Sequence, residues 1–377
     1  MSLALTNARV VTTDSVVEGG VRVEGDRIIG VGDVDTTSAT QVIDVGGRYV
    51  LPGLVDLHGD DIESHLYPRA GARMDTNMAL AAADRANLAA GITTKFHAVS
   101  FERDEDEGRS PALAREIVAR MGRVDLVADH RLHARCEVTQ AECVDAVLEV
   151  VADGHADLVS VMSHIPGKGQ FRDVEAFLDY YRESTDHSVE EARERIERRG
   201  EVSMDTLRER VDRVVQAAHE AGAVTASHDD EDPAEAERLA AAGVDISEYP
   251  ITLETARRAS ELGMATAMGA PNLIRGASQW GNLETRAAIE AGVVDALVAD
   301  YHPMSLLAAA FVDTGEPLPD RVARVTAAPA AAVGLGERGR IEPDARADLV
   351  VVDREPTPTV TRGLVAGEPV YRAEGGR

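Results

Sequence analysis

The stretch Leu51–Asp60, LPGLVDLHGD, decides the reading of this chain. A Pro-Gly turn opens it, a mostly apolar run follows, and the run ends on His58 and Asp60. Residues i and i+2 of an extended chain share a face, so these two side chains can hold one divalent cation between them. Ligand-type residues at the end of an apolar strand are what a parallel α/β barrel carries at its C-terminal rim, while branched side chains fill the barrel itself.

The same style of strand recurs outward from this point. Apolar runs at 50–58, 93–100, 126–136, 158–163, 224–228, 246–247, 265–268 and 296–299 alternate with amphipathic stretches such as 78–90, 112–121, 140–152, 233–242, 253–262 and 283–291. Eight strand–helix units predict an α/β fold, a TIM (β/α)8 barrel over 51–330. The two ends differ. Short strands separated by Gly-Asp, Gly-Gly and Ala-Gly turns fill 1–50 and 331–377, which together are expected to form a small β-sandwich domain. The charged run 173–221, with EEARERIERRGEV inside it, exceeds one barrel helix and predicts a helical insertion, read either as a lid or as a solvated helix pair.

Composition agrees with this class. Of 377 residues 44% are apolar but only 3% aromatic, so the core is built from Val, Leu, Ile and Ala, the usual filling of helix-covered parallel strands. Lys plus Arg number 39 against 66 acids, a net charge of −27, and no basic cluster stands clear of acids, which excludes nucleic acid as a partner. Lys95 and Lys168 are the only lysines. An acidic, lysine-poor surface is expected of a cytoplasmic, halophile-like protein kept soluble in high salt. Two cysteines, Cys136 and Cys143, make no disulfide framework, and neither a signal peptide nor a membrane span is expected. The sequence leaves a homo-oligomer open.

Further strand ends carry the chemistry. The third offers His133 and Glu137 in DHRLHARCE, the fourth His164 in SVMSHIPG, the fifth His228 in TASHDD and the eighth Asp300 in ADYHP. One strand-end histidine alone more often caps a loop. Five strands presenting such residues at the same end predict a site for one or two divalent ions, with zinc suited to the imidazoles and Asp300 as general base. His97, His130, His155, His187 and His219 are read as structural or exposed, and Cys136 as packing.

Taken together, LPGLVDLHGD, HGDDIESHLYPR, DHRLHARCE, SVMSHIPGKGQFRD, SHDD, MGAPNLIRG and ADYHP resemble the amidohydrolase superfamily, and within it the PhnM family of α-D-ribose 1-methylphosphonate 5-triphosphate diphosphatases in phosphonate degradation. The resemblance spans Leu51 to Pro303. It implies metal ligation by His58, Asp60, Glu137, His164 and His228, with Asp300 at the metal centre as acid/base. The sequence departs from the family pattern at Gly59, where Thr is usual, at Asp61, where Asn is usual, and at Gln279, where His is expected. A triphosphate needs cations at the rim, and Arg69, Arg73, Lys168, Arg172 and Arg275 are the candidates. The expected reaction is hydrolysis of a phosphoric anhydride with pyrophosphate leaving. Hydrolysis of a C–N bond in a cyclic amide or N-acyl substrate is the nearer alternative, and a non-catalytic assembly subunit the more distant one.

Overall fold

Residue alternation sorts the strands into two sheets in the computed structural model, which describes residues 2–69, 71–104, 108–163 and 202–373. The chain starts with β1 (Ser2–Val11), β2 (Val16–Glu24), β3 (Arg27–Gly32), β4 (Gln41–Asp44) and β5 (Tyr49–Pro52). The barrel strands follow as β6 (Leu54–Gly59), β7 (Ile92–Ser100), β8 (Asp129–Glu137), β9 (Leu158–Met162), β10 (Val224–His228), β11 (Ile246–Glu248), β12 (Ala265–Gly269) and β13 (Ala296–Val298). Three more, β14 (Leu349–Asp353), β15 (Thr359–Val365) and β16 (Glu368–Arg372), close the chain's strand order.

Both ends of the chain build one mixed sheet, ordered β16-β15-β14-β5-β1-β2-β3 with β4 beside β1. Its hydrogen bonding is continuous, so the expected sandwich takes the form of a single sheet around a shared core. Side chains on a strand alternate between faces, and β14 displays it: Leu349 and Val351 enter the sheet's own core with Leu3, Val21 and Val50. Val350 and Val352 turn the other way and pack with Leu54, Ile92 and Leu297 of the barrel.

The eight barrel strands run parallel in the order β6 to β13. A parallel bridge between Gly59 and Asp300 joins the first to the last. There the Asp300 amide donates to the His58 carbonyl at 2.8 Å and the Asp60 amide to the Asp300 carbonyl at 3.1 Å. Val55, Leu57, Phe96, Leu158, Ile246 and Val298 fill the barrel below the rim. At the opposite end Arg338 donates to Thr94 Oγ1 at 2.9 Å and to Asp129 Oδ2 at 2.6 Å, tying the chain beyond the barrel to its floor. The outer helices begin where the sequence supplies N-caps: Asp75, Ser110, Ser203, Asp232 and Thr252 each accept from an amide of the first turn.

Two departures from the sequence expectation have physical causes. The strand expected over 50–58 is broken at Gly53, where β5 leaves the mixed sheet and β6 enters the barrel. A Cβ there would lie 2.1 Å from Thr93 Oγ1, so only glycine lets the two sheets meet this closely. Within the interval read as an insertion, Met204–Glu220 is an ordinary outer helix that buries Leu207, Val211, Val214 and Val215 against the barrel wall. Residues 173–201 of that interval lie outside the described residues.

Candidate metal centre

Histidines on separate strands converge above the apolar filling of the barrel. His58 is the penultimate residue of β6, and its ring lies 5.0 Å from that of His133 on β8 and 5.3 Å from that of His228 on β10. Glu248, the last residue of β11, completes the group: its Oε2 is 3.1 Å from His58 Nδ1, 3.4 Å from His228 Nδ1 and 3.9 Å from His133 Nε2. One ligand atom from each of His58, His228 and Glu248 lies within 4.8 Å of the others. Glu248 is fully buried and its Oε1 has no hydrogen-bond partner among the described residues.

The charge states suit a cation. Burial, with a push from the Arg135 guanidinium, lowers His58 to about 3, and burial lowers His133 to about 4 and His228 well below its usual value. All three imidazoles are therefore neutral at pH 7 and carry lone pairs, so their contacts with Glu248 are not ion pairs. Two neutral imidazoles and a buried carboxylate with an orphaned oxygen form a donor set that fits a divalent ion of the zinc class. His133 is already engaged, with Nδ1 at 2.9 Å from the Leu57 carbonyl and Nε2 at 2.8 Å from Ser160 Oγ.

Asp60 stands beside this group. Its Oδ2 faces Arg135 at 3.4 Å and Arg109 at 4.0 Å, while Oδ1 is buried without a partner among the described residues. Arg109 also lies 3.3 Å from Glu102 and 3.4 Å from Glu63. Asp300 follows β13 with φ 56°, a left-handed conformation held by its two backbone hydrogen bonds to β6. Burial, and next the nearby Asp60 carboxylate, raise the Asp300 carboxyl above the usual range, which favours a form that holds a proton. Glu137 is buried at the end of β8 and accepts from the Thr139 amide at 3.2 Å. Inner and outer faces alternate along β8, which puts Arg131, His133, Arg135 and Glu137 inward and Leu132, Ala134 and Cys136 in the outer core.

His58 and His228 thus meet, with Asp60 and Asp300 at the same rim. His164, Lys168 and Arg172 lie outside the described residues. Arg73 is exposed and pairs with Glu116 at 2.8 Å, and Arg69 and Arg275 are exposed as well. Three site residues escaped the sequence reading. Glu248 follows Ile246 at the spacing of two that would have marked it, had the strand been extended by one residue. Arg135 shares the inward face with His133 and Glu137. Tyr249, whose ring lies 5.3 Å from His58 and 5.1 Å from His228, carries a buried hydroxyl with no partner among the described residues, and burial raises its pKa well above normal.

Comparison with known proteins extends this picture. The amidohydrolase family profile matches residues 185–371. The α-D-ribose 1-methylphosphonate 5-triphosphate diphosphatase of Escherichia coli (strain K12) is 32% identical over 365 residues, covering 94% of this chain and 96% of that one. Among solved structures, a Xaa-Pro dipeptidase with bound methionine superposes with a TM-score of 0.68 at 17% identity, covering 99% of this chain and 100% of that one. The dihydropyrimidinase of Brevibacillus agri NCHU1002 gives 0.62 at 14% identity, covering 99% and 95%. At those identities the structural likeness speaks for the fold alone, whereas the full-length relative speaks for the family. The chain is a hydrolase of the amidohydrolase superfamily, a superfamily that generally uses divalent metals, and it belongs to the PhnM family within it.

Proposed function

We propose that this protein is a cytoplasmic, metal-dependent diphosphatase that releases pyrophosphate from a ribose 5-triphosphate in phosphonate degradation. The observation that carries the reading is Arg135. In a chain of net charge −27, this guanidinium is 5% exposed, faces the histidine cluster, and leaves its Nε without an acceptor among the described residues. A buried cation with a spare donor at the mouth of a hydrolase site suits an anionic, phosphorylated substrate. A neutral amide offers it no charge to pair with.

In this reading His58, His228 and Glu248 hold the ion, with Asp60 beside them; Glu137 and His164 remain in the ligand set on the strength of the resemblance. A divalent metal, zinc by its donor set, would supply Lewis-acid polarisation and acidify a water. The protein's own groups do the rest. Asp300 accepts the proton of the attacking water: burial and Asp60 raise its carboxyl and make it the stronger base, and beside a bound cation it stays in the ionised form that can take the proton. Water oxygen bonds to the phosphorus nearest the sugar, the anhydride bond to the next phosphorus breaks, and its electron pair leaves with pyrophosphate. Arg135 offsets the charge that grows on the phosphoryl oxygens, and the Tyr249 hydroxyl donates to one of them. Exposed Arg69 and Arg275 and paired Arg73 serve as outer contacts for the distal phosphates, with Lys168 and Arg172.

The test is product analysis. Zinc-loaded protein is incubated with α-D-ribose 1-methylphosphonate 5-triphosphate, and pyrophosphate and orthophosphate are measured separately, with a neutral cyclic amide in parallel. One pyrophosphate per triphosphate consumed supports the reading. Ring opening of the amide with the triphosphate left intact overturns it.

A further inference from the structure

A second polar layer lies behind the site, between the barrel wall and the helix Thr76–Ala89, where side chains are ordinarily apolar. Phe96 of β7 belongs to the barrel interior, so its neighbours Lys95 and His97 stand on the outer face. Lys95 is fully buried, and its Nζ lies 2.8 Å from Asp56 Oδ2 and 2.8 Å from Asp61 Oδ1. Burial alone would strip the ammonium of its proton; the two carboxylates outweigh it and raise the pKa. Around the trio, Asn87 Nδ2 reaches Asp61 at 3.5 Å, and His97 hydrogen-bonds His130 at 2.7 Å, which in turn meets Asp84 at 2.9 Å.

The trio is wired to the barrel seam. The other oxygen of Asp56 accepts from the His58 amide at 3.2 Å and from the Ala299 amide at 2.9 Å. One carboxylate therefore ties the residue before Asp300 to the residue that ends on the metal cluster. The β6–β7 register shifts between Asp56 and Gly59, an irregularity that turns the chain end inward. Gly59 has no room for a side chain: a Cβ there would lie 1.7 Å from Lys95 Nζ and 2.6 Å from Asp56 Oδ2. Lys95 fills the space that Gly59 leaves.

We propose that Lys95 is the positioning residue of the metal centre: seated in the gap at Gly59, it locks Asp56 and Asp61, and through Asp56 it fixes the β6–β13 seam on which His58 and Asp60 stand. This rests on His58 being a metal ligand. Ligand-orienting partners of this kind typically govern metal affinity 10- to 100-fold.

The experiment uses the full chain, stripped with a chelator and titrated with Zn2+ against a competing chromophoric chelator, with the melting temperature of the stripped protein recorded alongside. For Lys95→Met the expected result is zinc affinity lowered about 10- to 100-fold at a temperature where both stripped proteins are folded. A merely structural role would lower the melting temperature and leave affinity unchanged, and that outcome overturns the proposal. Gly59→Ala displaces the ammonium from the opposite side while keeping every charge, so it reads the same effect if Lys95→Met does not fold; unchanged affinity there counts equally against it. His58→Ala separates the two levels. Affinity retained in His58→Ala removes the site reading underneath, whereas affinity lost there but retained in Lys95→Met and Gly59→Ala removes this inference alone.

Discussion

Arg135→Met is the sharpest perturbation of the substrate reading. The methionine keeps most of the side-chain volume and removes the guanidinium, which lies 3.4 Å from Asp60 and whose Nε has no acceptor among the described residues. A hydrogen bond between an ionised donor and a charged acceptor is worth about 1.5–3 kcal/mol, or about 10- to 150-fold at ~1.4 kcal/mol per decade. The loss should fall on kcat/KM for the triphosphate and spare any hydrolysis of a neutral substrate. Fold stability should suffer less. Asp60 keeps Arg109 at 4.0 Å and is 17% exposed, so the carboxylate left behind is not stranded. The assay is steady-state pyrophosphate release at fixed ionic strength, with thermal melting to confirm folding. A variant within about twofold of the wild type in kcat/KM would refute Arg135 as the phosphoryl-binding group, because even the lower bound of ~1.5 kcal/mol exceeds that change.

Asp300→Asn should lower pyrophosphate release by about 10²- to 10⁴-fold while zinc content by mass spectrometry stays that of the wild type; undiminished turnover removes Asp300 as proton acceptor. Chelation of the metal should lower the melting temperature, and restoring Zn2+ to ~100 times its dissociation constant should return about 2.7 kcal/mol, whereas identical melting curves with and without zinc would contradict a folded-state site. The Asp84 carboxyl is lowered below its ordinary 3.8, since hydrogen bonds from His130 and from the Ala128 and Val127 amides outweigh burial, which acts to raise it. A lowered carboxyl stabilises the fold above its unfolded value and loses that contribution as the pH falls. Asp84→Asn should therefore cost about 1–3 kcal/mol at pH 7, a deficit that closes below about pH 4 in urea titrations; a deficit that persists unchanged at pH 3 contradicts the assignment.

The barrel and its rim were legible in the chain because apolar runs ending in His or Asp report both strand direction and strand end. His58, His228 and Asp300 were found by that rule. Glu248 was missed because three-residue β11 is too short to display a period, and ending it at Ser247 hid the next inward residue. The split at Gly53 was illegible since the obstacle, Thr93, lies 40 residues away in sequence and meets it only across two sheets. Lys95 drew no reading from the sequence beyond being one of two lysines. Its meaning depends on the outward face of β7 and on the shifted register of β6, neither of which a linear pattern encodes. Two of the departures from the family pattern, Gly59 and Asp61, fall beside its ammonium: Asp61 pairs with it and Gly59 leaves it room.

The pairing of β5 with β14 has a temporal side. Leu51 is bonded in register to Val350, and the Gly53 amide to the Asp348 carbonyl at 2.8 Å, immediately before the strand that delivers His58. During translation the ribosome makes this early segment and then about 300 more residues before its brace emerges, roughly 15–60 s at ~5–20 residues per second. The nascent polypeptide thus spends most of its synthesis with the root of the strand that carries His58 unclamped, and that root is braced only when one of the late strands has docked.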